Sequence, residues 1–319
     1  MAGFRSGWVA ALFFLTAGCA VIRVPVAPEP RVEEVTVMGE GADKVLLLDV
    51  SGVLSFRRPW APPGFPRPPA LPARVRADLD RARRDPAIRA VVVRIDSPGG
   101  TVTASDVIHH EIRAFREERR VPVVAAIVEK GLSGGYYAAL AADEIVAFPT
   151  ALVGSVGVFV AKFDASGLLG KLGVRSELRK SGAQKDILSP LRPLTPAERK
   201  TLDEIVADLS GRFHEVLRTA RPQVAEEDWD RVASAAPFTA SKALELRLVD
   251  RVGYLEDAFQ AALARAGLER ARLVTYRTGG GATPPTPYGF SPWGLPAAAT
   301  PLALDPAWIE EFLETQVGY

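Results

Sequence analysis

The sequence predicts an α/β fold, a parallel sheet flanked by helices, and three observations carry that prediction. Short apolar runs of strand length alternate with stretches whose apolar residues recur at helical spacing, from residue 44 to residue 276. Several of those runs are apolar at consecutive positions, as strands covered on both faces are. Glycine-bearing junctions follow three of the strands, at the end of the sheet where open parallel sheets carry their sites. The chain has 319 residues, 48% of them hydrophobic and 24% charged, enough for a substantial core. Lys plus Arg is 39 against 38 Asp plus Glu, so no net field marks the whole chain as a binder of nucleic acid or anionic membrane.

In chain order, residues 1–18 read as an export signal, with Arg5 as the basic start and an apolar stretch over 7–17. Leu15-Thr16-Ala17-Gly18-Cys19 resembles the lipobox of bacterial lipoproteins, with Thr16 where a large aliphatic residue is usual. Cys19 is the single cysteine, so an intrachain disulfide and a two-cysteine redox or metal site are excluded. Lipidation at Cys19 is the expectation, and an uncleaved signal anchor over 6–22 is the alternative, marginal in length for a span. Both tether the rest of the chain to the extracytoplasmic side of a membrane. Residues 19–43 read as a linker, Pro-, Glu- and Val-rich over 27–40 without a helical stripe.

The folded domain is expected over 44–278. A strand over 45–50 leads into a proline-dense loop over 57–72 that excludes helix interior and central strand. Helix 74–84 follows, then strand 90–95, helix 104–119 with Ile108, Ile112 and Phe115 on one face, and strand 121–128. A helix over 133–142, short strands near Ile145 and Val156, and a long helix over 196–218 continue the scheme. The long helix lines up Leu202, Ile205, Leu209, Phe213 and Val216. Two helices within 240–265, split at 249–253, and a last strand over 273–276 complete the domain. Residues 279–319 form a tail, rich in Gly, Pro, Thr and Ala to 301 and flexible by composition, with an amphipathic helix expected over 305–317.

The junctions are Asp96-Ser97-Pro98-Gly99-Gly100, Gly131-Leu132-Ser133-Gly134-Gly135-Tyr136-Tyr137 and Gly154-Ser155-Val156-Gly157-Val158, followed by Ser181-Gly182-Ala183-Gln184-Lys185-Asp186. A serine at a strand-to-helix turn is exposed to a ligand, and the free N–H groups of the helix start point at a developing anion. Acyl transfer needs that geometry together with a base. The histidines are His109, His110 and His214, each on an amphipathic helix and each read as a packing or solvated residue. Lysine is the other base available, provided burial keeps its amine neutral. No metal or cofactor is called for.

Ser97-Pro98-Gly99-Gly100, Ser133-Gly134-Gly135-Tyr136-Tyr137, Gly154-Ser155-Val156-Gly157-Val158 and Ser181-Gly182-Ala183-x-Lys185-Asp186, in this order and at this spacing, resemble the signal peptide peptidase A family of serine peptidases. The resemblance runs over about residues 44–267 and extends to Phe238-Thr239 and 243–250, although the family commonly has Gly where Arg247 stands. It implies the fold of Clp protease subunits and crotonases, with Ser133 as nucleophile and Lys185 as general base. It further implies an oxyanion hole of the Gly134 and Gly100 N–H groups, and Ser155 as a hydrogen-bond partner that holds the lysine beside Ser133. It implies a homo-oligomeric ring and substrates such as signal-peptide remnants or other short apolar peptides. Gly131-x-Ser133-x-Gly135 also fits the nucleophile elbow of α/β-hydrolase esterases, which would need His214 as base. A lyase of the same fold and a non-catalytic oligomeric membrane scaffold are further alternatives.

Overall fold

The computed structural model describes residues 32–59, 67–278 and 317–318. Its first half alternates strongly: β1 (Val32–Gly39), β2 (Lys44–Ser51), α1 (Leu71–Arg84), β3 (Ile88–Ser97), α2 (Val102–Arg119), β4 (Val123–Leu132) and α3 (Gly134–Ala139). Shorter pieces follow: β5 (Glu144–Ala147), β6 (Leu152–Gly154), β7 (Phe159–Val160), α4 (Ser166–Lys171) and then the long α5 (Pro196–Ala220). The last stretch has α6 (Trp229–Val232), β8 (Pro237–Thr239), α7 (Ala240–Glu245), β9 (Arg251–Val252), α8 (Leu255–Ala266), β10 (Arg272–Thr278) and β11 (Val317–Gly318).

The main sheet runs β1-β10-β2-β3-β4-β5-β9, with β6 against the end of β4 and β8 against β6. Every pairing from β10 to β9 along that order is parallel, as is β4 with β6. Only β1 with β10 and β6 with β8 are antiparallel in this sheet. Val45 to Val50 and Ala90 to Ile95 are buried or nearly so at successive positions, because helices cover both sides of these strands. Helix α8 lies against β3 and β4, and α1 lies against β2 and α2. Among the charged groups taken inside is Asp49 on β2, which accepts from Nε and a terminal nitrogen of the buried Arg94 at 2.9 and 2.7 Å, and from Arg74 at 3.2 Å.

Several boundaries differ from the sequence reading for local reasons. The expected spacer contains β1, so the folded chain starts before residue 44. Val32, Val35, Thr36 and Val37 suit a strand, but the partner that pairs them is β10, more than 230 residues away and invisible to a local pattern. Helix α1 starts at Leu71, not Arg74, because Pro72 occupies the first turn, where its missing N–H costs nothing. No strand forms at Val156: β6 stops at Gly154, and Ser155 turns to φ +54°. On α5 the expected apolar stripe packs only at its C-terminal end, where Phe213, Val216 and Leu217 are buried while Ile205 is exposed. Arg247 has φ +60°, the left-handed turn that explains glycine at this point of the family pattern. The expectations for the export signal, Cys19 and the tail to residue 316 lie outside the described residues. Val317 and Gly318, at the tail's end, pair as β11 with β7.

Candidate active site

The parallel register brings the three glycine junctions to one edge of the sheet. Ser97 stands opposite Gly131, Gly131 opposite Val153, and Leu132 opposite Gly154. Ser133 follows directly, between the end of β4 and the first residue of α3, with φ +53° and ψ −121°. A non-glycine residue there carries backbone strain, tolerated only where the surroundings fix it. Here they do. The Ser133 N–H donates to the Gly154 carbonyl at 2.7 Å, and the Ser133 carbonyl accepts from Tyr137 N–H at 2.9 Å. The hydroxyl makes no capping hydrogen bond, and the residue is 5% exposed. The strained turn therefore holds a serine whose Oγ is not spent on capping the helix behind it.

Helix α3 is anchored from below. All six of its residues are buried. The Tyr136 hydroxyl donates to the Leu248 carbonyl at 2.7 Å, and the Tyr137 hydroxyl donates to Asp106 at 2.6 Å. Tyr137 lies edge-on between His109, at 5.1 Å, and Phe213, at 5.0 Å between ring centroids. Burial pushes the His109 imidazole down to about 4, so it is a neutral packing group at physiological pH.

Two amides face the serine turn. The N–H of Gly134 is the first of α3 and has no acceptor within its own helix. Gly100 is held by a parallel bridge to Leu54, in which Leu54 N–H donates to Gly99 at 2.9 Å and its carbonyl accepts from Thr101 at 2.8 Å. In that alternation the N–H of Gly100 itself points away from Leu54. The two glycines are close: a Cβ on Gly134 would stand 3.4 Å from the Gly100 nitrogen and 2.1 Å from Ser105 Oγ. A Cβ on Gly100 would stand 2.1 Å from the Leu54 oxygen. Both positions need glycine because backbone and side chains approach too closely for anything larger. The contribution of Leu54 had no signal in the sequence, since its segment precedes the proline-rich loop and joins the site only through this bridge.

Ser155 sits one residue beyond the carbonyl that receives Ser133, with its own N–H on Ala236 at 3.0 Å. Lys185 is elsewhere in character. It lies in an irregular turn, exposed, with its N–H on Gly182 at 3.2 Å, and no hydrogen bond or ion pair of its amine is found among the described residues. The expected burial of Lys185 is thus not met within the single chain: Ser133, Gly134 and Gly100 are brought together, and the lysine side chain is exposed. Asp186 does turn from its neighbour, pairing with Lys180 and Arg192 at 2.6 Å each. The region around Lys185 is thinly packed. Helix α4 buries no residue, and Phe159, Leu168, Leu172, Val174 and Leu178 are exposed, Leu172 to 67%. His214 packs edge-on against Trp229 at 5.5 Å, and its buried Nε2 has no hydrogen-bond partner among the described residues. Among the described residues no group of three or more His, Cys, Asp or Glu side chains gathers as a metal-binding set.

Comparison with known proteins bears on this edge of the sheet. Residues 115–269, which hold Ser133, Ser155 and Lys185, match the model of peptidase family S49. These residues are similar to a peptidase family S49 domain. The chain is 30% identical over 236 residues to the chloroplastic serine protease SPPA of Arabidopsis thaliana, covering 74% of this chain and 34% of that one. It is 33% identical over 196 residues to protease 4 of Salmonella typhi, covering 61% and 31%. Over 180 residues it is 40% identical to a Synechocystis sp. protein with the provisional name protease slr0021, covering 56% and 64%. The chain thus spans less than two thirds of the length of each of these relatives. A membrane-bound stomatin-specific protease of known structure aligns over 69% of this chain and 85% of its own, at TM-score 0.42 and 13% identity.

Proposed function

We propose that this S49-like domain is a serine endopeptidase with Ser133 as nucleophile and Lys185 as general base, on a fold of the Clp and crotonase type. The observation that carries the reading is the Ser133 turn: a strained, buried serine with an unspent hydroxyl, next to the Gly134 and Gly100 amides. In that reaction Ser133 Oγ attacks the scissile carbonyl carbon while the Lys185 amine takes its proton. The oxyanion is received by the N–H groups of Gly134 and Gly100. The tetrahedral intermediate collapses to an acyl-enzyme as the lysine passes its proton to the leaving amine, and water then repeats the sequence on the ester. A lysine serves only while its amine is neutral, which calls for a dry, apolar surrounding. The exposed apolar side chains along 159–178 are the material for one, if a second copy of the chain covers them in a homo-oligomeric ring. An enclosed site favours short apolar peptides such as signal-peptide remnants, and a lipid on Cys19, or an uncleaved signal anchor, would hold the enzyme at the membrane that releases them.

A serine-directed fluorophosphonate applied to the assembled protein tests this. Labelling should vanish in Ser133→Ala, fall at least about 100-fold in Lys185→Ala and Lys185→Arg, and persist in His214→Ala. An esterase of the nucleophile-elbow type would reverse the last two outcomes, but the seat of His214 against Trp229 disfavours it. A non-catalytic scaffold would take no label at all.

A further inference from the structure

Among the described residues the Lys185 amine has no hydrogen-bond or ion-pair partner, so what fixes its position there acts through the backbone of its turn. That turn is closed by Ile187 N–H on Gln184 at 3.1 Å and Ser189 N–H on Asp186 at 2.9 Å. Its one firmly held side chain is Asp186, next to the lysine. Arg192 grips that carboxylate through Nε at 2.8 Å and a terminal nitrogen at 2.6 Å. The other edge of the same guanidinium binds Glu198, at 2.8 Å from Oε2 and with a second bond to Oε1. Glu198 is 1% exposed and belongs to the capping box that starts α5, accepting from the Thr195 N–H at 2.9 Å and hydroxyl at 3.0 Å. Lys180 gives a third bond to Asp186 at 2.6 Å, and Lys162 holds the Arg192 carbonyl at 2.5 Å. Elsewhere this stretch is loosely packed, so the chain of contacts from Asp186 through Arg192 to Glu198 is what ties the turn to a long helix.

We infer that Arg192 is a positioning residue for Lys185: by clamping Asp186 to Glu198 it seats the lysine-bearing turn on the start of α5 and keeps the neighbouring carboxylate from pairing with the amine. The inference rests on the proposed role of Lys185 as base. The charge arrangement fits it. Asp186 is held well below the usual carboxylate range, chiefly by Arg192 and then by Lys180, so it stays an anion that two cations already occupy. Only a planar guanidinium can bridge two carboxylates by paired bonds on both edges, so lysine at 192 could not replace it. The charged groups in this cluster are Lys162, Lys180, Asp186, Arg192 and Glu198.

The test uses the full-length assembled protein and a fluorogenic apolar peptide, with kcat and KM measured across pH and melting followed in parallel. Arg192→Gln should lower kcat about 10- to 100-fold with KM within about threefold, since the base is misplaced and the groove is not. The rising limb of the pH–rate profile should move about one unit alkaline, because Asp186 is released toward the amine. Arg192→Lys should not rescue. Adding Asp186→Asn to Arg192→Gln should bring the limb back without restoring kcat. If Arg192→Gln does not fold, Asp186→Asn alone breaks the clamp without freeing a carboxylate, and it should lower kcat with the limb unmoved. Wild-type kcat and limb in Arg192→Gln, or a loss of kcat that tracks melting with the limb fixed, would overturn the inference. Activity in Lys185→Arg would instead remove the dyad reading on which it rests, and that failure is distinguishable because it needs no change at 192.

Discussion

The Ser133 turn and the Lys185 turn are built in opposite ways. The first is over-determined: strands in register fix Gly131, Leu132 and Gly154, two backbone hydrogen bonds hold the serine, and buried tyrosines root the helix behind it. The second hangs from one ion-pair cluster on a surface with exposed apolar side chains and no buried helix face. A nucleophile and oxyanion hole need fixed sub-ångström geometry, which only a packed sheet edge supplies. A base that must be both dry and mobile enough to shuttle a proton can wait for assembly to enclose it. On the proposed assignment, one half of the site is packed inside the chain and the lysine-bearing half is exposed, for a second copy to enclose.

Glycine substitution should break the comparison most visibly. Gly100→Ala drives a Cβ into the Leu54 carbonyl, so labelling of Ser133 should fall by about 100-fold or more and stability by about 1–3 kcal/mol. Gly182→Ala, three residues before Lys185, meets nothing within 4 Å and should melt within about 0.5 kcal/mol of the parent. Equal costs at the two positions would mean the two turns are equally packed.

Acid should also separate them. His109, under Tyr137 and α3, is neutral in the fold down to about 4 but titrates near 6.5 when unfolded, so the unfolded state binds the extra proton first. Stability from this group is complete above pH 6.5 and is lost as pH falls toward 4, by about 2 kcal/mol at pH 5. Asp78 on α1, raised by burial to about 6, works in the opposite sense over part of that range. The measurement is therefore the difference between the parent and His109→Gln in melting between pH 7 and 5, where the variant should lose less. The Lys185 side should not respond in that window. Glu198, lowered to about 2 chiefly by Arg192, contributes stability above its unfolded value near 4.5 that is lost only as pH falls toward 2.

The smallest effect concerns strain. Ser133→Gly and Ser133→Ala should be equally unreactive toward the phosphonate, but only glycine relieves φ +53°, so the Gly variant should melt as the more stable by about 1 kcal/mol. Identical stabilities would show that the turn carries no stored strain.

Much of the protein was legible in order along the chain. The continuous apolar runs at 45–50 and 90–95 declared doubly covered strands, the split at 249–253 declared two helices, and the junction glycines marked the edge at which Ser133 and Gly134 stand. Those signals are local: side-chain periodicity, proline at a first turn, and glycine where the backbone reverses are written within a few residues of where they act. The capping box at Thr195 and Glu198 belongs with them, since its pattern can be read directly, although its link to Arg192 cannot.

Tertiary structure alone decided the rest, because it depends on partners distant in sequence. The strand β1 exists through β10, the amide of Gly100 is aimed by a bridge to Leu54, and the apolar stripe of α5 is left half uncovered among the described residues. The motif around Lys185 named the residue without saying where its amine would lie. That position depends on packing, and among the described residues the lysine side chain is left exposed.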